Sequence, residues 1–454
     1  MTVKNKGINI LTYSFLFVCL FTSHNWREQL CAGGEVFRFD NILLFGKFNV
    51  YHLFAGLFFL IVYFEKFGPN NDRNILGDRN YLKTIFLMYF IPVNILIYIT
   101  IYIKSITLTG AGTTTIGIFF VYLVATFYIQ DVFLKNKDYK QLLDVLTVLE
   151  VLIVIRCCYS IIKYLLGFGY HDALLGRRVR LGYESDFADF FILLFIIASV
   201  RLLFDKNESK KIERLHKIGV LISSIIAIFS FRRYWWGELL TASFIILFSH
   251  YRFNKVHLNK KGITTCFFVV VIIGSILFVG PDKITRNQYV GRLLTSLSLI
   301  NAQKFSSQYG TETGHIDELK DGWYNVRKNL LLGITPFGNK LMKRFKTAAW
   351  QDGLYVHNAY LLVWLVYGLL GLVLFLALYW KSVRLGLKLY KKGHPYGLIL
   401  FAFCCAQLLK NVVWGTVITF TNVTIVYIFI ISIAIRMRQI IKDKNEGFNN
   451  YRLP

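Results

Sequence analysis

QDGLYVHNAYLLVWLVYGLLGLVLFLALYW, residues 351–380, decides how the rest of the chain is read. A polar start ends in His357 and Asn358, and no charged residue follows between 359 and 380. A helix needs about 20 apolar residues to cross a bilayer, and this run is long enough. His357 therefore falls on the first turn of a membrane helix, where water meets hydrocarbon. An imidazole placed there exchanges protons near neutral pH. On its N-terminal side lies the only long polar segment of the chain, 281–356. One ionisable side chain thus stands where a large soluble segment enters the membrane. Alone, an interfacial histidine is simply satisfied by water, so its neighbours must decide whether it does more.

Composition sets the class. The chain has 454 residues, of which 55% are hydrophobic, and its mean hydropathy is +0.49. Its 17% charged residues fall short of the roughly 25% of a soluble domain. Near-spanning apolar runs recur from end to end, which predicts an all-α, polytopic membrane bundle. Twelve spans are expected, near 8–22, 42–64, 84–103, 113–134, 141–163, 187–204, 218–231, 237–250, 263–280, 358–380, 397–415 and 418–435. The first 22 residues have no small-residue cleavage site and read as the first of these spans. The chain divides into an N-terminal bundle of about nine spans (1–280), a large external segment (281–356), C-terminal spans (357–435) and a tail (436–454).

A net charge of +26 would point to nucleic acid in a soluble protein. Here much of it lies in short lysine-rich loops: KNKDYK (135–140), DKNESKKIERLHK (205–217), HYRFNKVHLNKK (250–261) and KSVRLGLKLYKKGHP (381–395). These place both termini in the cytoplasm and 281–356 outside. The partner they imply is membrane lipid, and no nucleic acid is expected. The cysteines make no disulfide framework, since all except Cys31 lie in apolar runs. No CxxC or HExxH spacing occurs, so no metal or other cofactor is expected.

Cations outside are what orientation disfavours, and they carry the functional signal. The loop GRRVRLGYESDF (176–187) holds Arg177, Arg178 and Arg180. FRRYWWGE (231–238) holds Arg232 and Arg233 at a span boundary, with Trp235 and Trp236 in the position of an aromatic belt and Glu238 able to hold a guanidinium. In the long segment, TRNQYVGRLLTSLSL (285–299) brings Arg286 and Arg292. TGHIDELKDGWYNVRKNLLLGITPFG (313–338) predicts an amphipathic helix over 316–331, preceded by His315 and followed by a turn-rich stretch. Arginine forks match phosphate oxygens bidentately, so an anionic ligand at the outer face is the functional reading. Contact with anionic headgroups is the alternative.

HNAYLLVWLVYGLLGLVLFL (357–376) resembles the histidine signature of the O-antigen ligase/polymerase family of membrane glycosyltransferases. The likeness extends to the helix and proline–glycine turn upstream, to SFRRYWWGELL (230–240) and to the arginine loop before residue 187, covering roughly residues 170–380. It implies a GT-C-class helical bundle acting without a metal. The donor would be an oligosaccharide linked through pyrophosphate to undecaprenol at the periplasmic face of the inner membrane. The acceptor would be a glycan or a lipid core, and a chain-length co-polymerase would be a partner. His357 would be the base that activates the acceptor hydroxyl, with Asn358 beside it. Arg232 or Arg233 would bind the pyrophosphate, and one of Arg177, Arg178 and Arg180 would line the same cavity. Arg286, Arg292 and His315 would contribute from the long segment. This chain has His315 where many members carry an arginine, and two arginines where one is needed. Polymerase and ligase are not separated by these motifs. The competing class is a transporter or flippase of the same lipid-linked glycan. Such proteins gather ionisable residues at mid-membrane on repeated halves. Glu150, Arg156 and Lys410 are such residues here, but no repeat accompanies them.

Overall fold

The computed structural model describes residues 3–21, 50–67, 80–104, 110–165, 170–172, 177–180, 187–205, 209–229, 233–253, 311–333, 356, 358–413 and 421–450. The architecture is an α-helical bundle. Its helices are α1 (Val3–Phe21), α2 (Val50–Phe67), α3 (Tyr81–Lys104), α4 (Gly110–Tyr128), α5 (Tyr139–Leu165), α6 (Phe187–Phe204), α7 (Lys210–Phe229), α8 (Arg233–Phe253), α9 (Thr311–Lys328), α10 (Ala359–Lys391), α11 (Gly397–Val413) and α12 (Thr421–Asn450). A helix overlies each predicted span except 263–280, which lies outside the described residues. Among the described residues, three segments are long and apolar enough to cross a membrane, Tyr139–Ile162, Ala359–Lys391 and Asn422–Asp443, and five shorter apolar helices accompany them.

Local chemistry sets several helix starts. Asp138 and Gln141 form a reciprocal cap at the head of α5, each side chain accepting the other's backbone N–H at 2.8 and 3.1 Å. Asn80 caps α3 by accepting from the Leu82 and Lys83 amides. Asn358 caps α10 through the Leu361 amide at 2.9 Å. A π-helical turn, Ile129–Phe133, follows α4 and presents Asp131 to Lys66 and Lys83 at 2.8 and 2.6 Å.

Polar ties fix how the helices align. Tyr390 on α10 donates to the Ser249 carbonyl of α8, and Tyr396 donates to Asp205, just past α6. At the other end of the bundle Asn358 donates to the Val412 carbonyl of α11 at 2.9 Å. Thus α6, α8 and α10 begin at the Asn358 end and α11 finishes there. The lysine-rich groups Lys66, Lys83 and Lys137 belong to the opposite end, where Lys137 donates to Asn9 of α1.

The run at 358–380 is not one straight span. α10 reaches Lys391 and is broken at Gly368, whose φ of 69° and ψ of −172° are non-helical. The turn after α9 seats against this break. The Leu369 amide, freed by it, donates to the carbonyls of Leu330 and Leu331, both at 3.2 Å, and Trp364 Nε1 donates to the Leu330 carbonyl at 2.9 Å. On the other side the ring of Tyr367 meets Tyr89 and Phe119, and the Tyr89 hydroxyl donates to the Gly371 carbonyl at 2.6 Å. Val326, Val356, Leu362 and Leu365 form a small core between α9 and α10.

Two further expectations are corrected. The helix expected over 316–331 runs from Thr311 to Lys328, so His315 lies inside it rather than before it. Apolar periodicity starts only at Ile316, so the polar first turn, with Glu312 favourable near a helix N-terminus, left no such signal. The arginine loop before residue 187 contains a strand, β2 (Arg177–Arg180), paired antiparallel with β1 (Tyr170–Asp172). This hairpin is the one departure from helix among the described elements.

Replacing Gly368 tests the break. A Cβ there would stand 2.2 Å from the Leu331 carbonyl oxygen, besides the strain of positive φ. Gly393 has φ +88° with nothing within 4 Å, so it carries the strain alone. Gly393→Ala should cost about 1–2 kcal/mol, and Gly368→Ala clearly more, read as unfolding midpoints in detergent. Equal midpoints would contradict the seating of the turn on the break.

Candidate functional site

At the Asn358 end the bundle buries an ionic cluster. Asp189 is the third residue of α6 and Lys410 lies on the last turn of α11. Lys410 Nζ stands 2.6 Å from each carboxylate oxygen of Asp189. Gln407, one turn before Lys410, donates to Asp189 and, at 3.2 Å, to Glu238 of α8. All four side chains are buried. One Glu238 oxygen and the Gln407 carbonyl oxygen have no hydrogen-bond partner among the described residues. Buried polar atoms are nearly always satisfied, so this unspent capacity marks a place for water or for the polar groups of a ligand.

The sequence leaves Glu238 able to hold a guanidinium, but Arg232 and the Arg233 side chain lie outside the described residues. Among those described, Glu238 accepts from Gln407, with Asp189 and Lys410 next along the network. Trp235 and Trp236 are likewise core residues and not an aromatic belt. Trp235 packs edge-on against Phe191 of α6 at 4.8 Å, and Trp236 Nε1 donates to the Ala227 carbonyl of α7 at 2.6 Å. Both indoles pack inward on α6 and α7, which hydropathy alone does not distinguish from an interfacial pair.

The predicted site residues fall as follows. Arg233 is the first residue of α8, at the same end as the ionic cluster. Asn358 has a structural role: its carbonyl caps α10 and its amide nitrogen ties α10 to α11. Residue 357 precedes that cap instead of sitting on the first turn, because the helix starts at Ala359. His357, Arg232, Arg286 and Arg292 themselves lie outside the described residues. Arg177, Arg178 and Arg180 are on β2, and His315 is on α9. The helix ends therefore bring the chain neighbours of Arg232 and His357 to one end of the bundle, and α9 is docked there on α10.

The three ionisable residues that the sequence places within predicted spans all have protein partners. Lys410 pairs with Asp189, and Arg156 donates to Ser160 and to the Leu20 carbonyl. Glu150 accepts from His216 at 2.8 Å and lies 3.9 Å from Arg201, in a second cluster at the opposite end that also includes Asp205 and Tyr396. Tyr396, in the connection between α10 and α11, has its pKa pushed up by burial and by the adjacent Asp205 carboxylate. Among the described residues, no three His, Cys, Asp or Glu side chains gather as a metal site.

Of the cluster residues, Asp189 and Gln407 carry no motif in the sequence. A lone acid three residues into a near-continuous apolar run was the available signal. Lys410→Met should strand the Asp189 carboxylate and cost about 3–5 kcal/mol. Adding Asp189→Asn should recover most of that, read as unfolding midpoints of the two purified variants. A double variant no better than the single one would show that the pair is not the source of the loss. Compared with known proteins, the chain matches no family model and no curated sequence.

Proposed function

We propose that the chain is a membrane glycosyltransferase that takes a glycan from an undecaprenyl-pyrophosphate-linked donor and joins it to an acceptor glycan at the periplasmic face. It would act as a repeat-unit polymerase or as an O-antigen ligase. The observation that carries this is the convergence of helix ends. The start of α8, which follows Arg232, and the cap of α10, which follows His357, share one end of the bundle above the Asp189–Lys410–Glu238 cluster. The proposal includes twelve spans in the inner membrane, both termini in the cytoplasm and 281–356 outside. The lysine-rich groups at the opposite end support that orientation.

In this reading the acceptor hydroxyl attacks the anomeric carbon of the donor. Its proton passes to the His357 imidazole. The bond from that carbon to the phosphate oxygen breaks, and undecaprenyl pyrophosphate leaves. Charge grows on the pyrophosphate, and positioned arginines stabilise it: Arg232 or Arg233, one of Arg177, Arg178 and Arg180, and Arg286, Arg292 or His315 from the long segment. A base with pKa near the working pH suits the proton transfer. The lipid tail remains in the bilayer while the sugar stays in water, which a site at the boundary allows.

Transport of the same lipid-linked glycan is the second reading. The observation in its favour is the buried set Asp189, Glu238 and Lys410, since ionisable groups inside spans often mark a transport path. Against it, Asp189 and Lys410 neutralise each other in place.

Purified His357→Gln, supplied with lipid-linked repeat units, should bind donor normally but lose about 10²–10⁴ in turnover. Gln can hydrogen-bond the hydroxyl but not take its proton, so near-normal product from a folded His357→Gln protein would remove the base assignment. Arg232→Ala with Arg233→Ala should instead weaken donor binding by roughly ten- to a hundredfold, the loss of one charged hydrogen bond. Orientation is tested separately, with single cysteines at Gln308 and Asn445 in a background lacking native cysteines. An impermeant reagent should label the first and not the second in intact cells, and labelling at Asn445 would reverse the orientation.

A further inference from the structure

We propose that the turn following α9 dips into the bilayer, so that Leu330, Leu331 and Leu332 lie among the acyl chains of the leaflet it enters. This goes beyond the transfer reaction and does not depend on it.

Depth is the first argument. Trp380 is exposed and Lys381, the first charge after the apolar run of α10, is exposed beside it. That pair fits one edge of the hydrocarbon, where tryptophan and lysine anchor helices. From Lys381 back to Gly368 the helix climbs about 20 Å at 1.5 Å per residue. A hydrocarbon core is about 30 Å thick, so Gly368 lies roughly 10 Å inside the other edge. Tilt only lowers the climb and leaves Gly368 deeper. The carbonyls of Leu330 and Leu331 accept from the Leu369 amide, and a Cβ on Gly333 would stand 2.5 Å from the Gly368 nitrogen. The turn is therefore at that depth too.

Surface chemistry is the second. Leu331 and Leu332 are 65% and 61% exposed, and Leu330 is 44% exposed. Three consecutive leucines facing water at this level would be costly, at about 25 cal/mol per Å² of apolar surface. They continue the exposed apolar face of α10, formed by Leu370, Val373 and Leu376. In hydrocarbon that face and the turn make one surface. Of the irregular backbone at this depth, the Leu369 and Gly333 amides and the Leu330 and Leu331 carbonyls are satisfied by protein.

The residues just above the turn are those expected at the headgroups. Arg327 lies over the Trp323 ring at 5.3 Å, and Lys328 over the Tyr324 ring at 4.2 Å. Two aromatic–cation pairs on the last turns of α9 would hold the helix at the interface. The occupant of the leucine surface is lipid acyl chain, and not another protein, because the surface is continuous with the lipid-facing side of a helix long enough to span.

Full-length protein carrying one spin label at Leu331→Cys, Leu332→Cys or Lys320→Cys, without native cysteines, is reconstituted in phosphatidylcholine vesicles. Relaxation by oxygen, which partitions into lipid, is compared with relaxation by a water-soluble nickel chelate. The labels at 331 and 332 should respond to oxygen several-fold more than to nickel, and the label at 320 the reverse. If 331 and 332 respond to nickel like 320, the turn is in water. If they respond to neither, protein covers it. Either result overturns the proposal, and gel-filtration profiles like that of the unlabelled protein ensure that a folded chain is being read.

Discussion

The hydrogen bonds from the Leu369 amide to the Leu330 and Leu331 carbonyls are the constraint on which the rest of the Asn358 end depends. Inside a bilayer a helix break leaves backbone groups that water does not reach, and each must find a partner in the protein. Gly368 creates such a break in the apolar helix of residues 359–391. The turn after α9 fills it, which makes a polar segment an integral part of the bundle. Docking also fixes the short half of α10 between the break and Asn358. That half is held a second time where Asn358 reaches Val412 of α11.

Beneath this end, the Asp189–Lys410 pair and its Gln407 bridge to Glu238 join α6, α8 and α11 through charge. Buried pairs of this kind add little net stability over apolar packing, but removing one partner is severe. Their effect is to fix register: the three helix ends meet in one arrangement or leave a charge stranded. Arg233 opens α8 five residues before Glu238, so the cluster also sets where α8 begins. Structure and proposed chemistry meet at this point. Sites that stabilise a leaving group need donors held in place before the reaction starts.

Much of the bundle was legible in the sequence because apolar runs near 20 residues long are a strong signal. Asp138, Asn80 and Asn358, whose side chains cap first turns, set helix starts that the apolar runs alone do not mark. Three features were not legible. Gly368 looks like an ordinary glycine in an apolar run, since its positive φ depends on a turn some 35 residues earlier in the chain. Trp235 and Trp236 have the composition of an interfacial belt, and only the packing of α6 and α7 makes them core. The α9 start was missed because its first turn is polar throughout. For the site, the charges at Glu238 and Lys410 were visible one by one, but their meeting with Asp189 depends on which helices adjoin.

The proposed reaction and its rival differ in whether a covalent bond forms. The wild-type chain, purified and placed in vesicles with undecaprenyl-pyrophosphate-linked oligosaccharide, distinguishes them in one measurement. The products are separated by size while the leaflet of the lipid-linked glycan is followed with an impermeant sugar-modifying reagent. A glycosyltransferase yields longer glycans or glycan on a supplied acceptor, with release of undecaprenyl pyrophosphate. Intact donor moving between leaflets with no new glycosidic bond would contradict that reading.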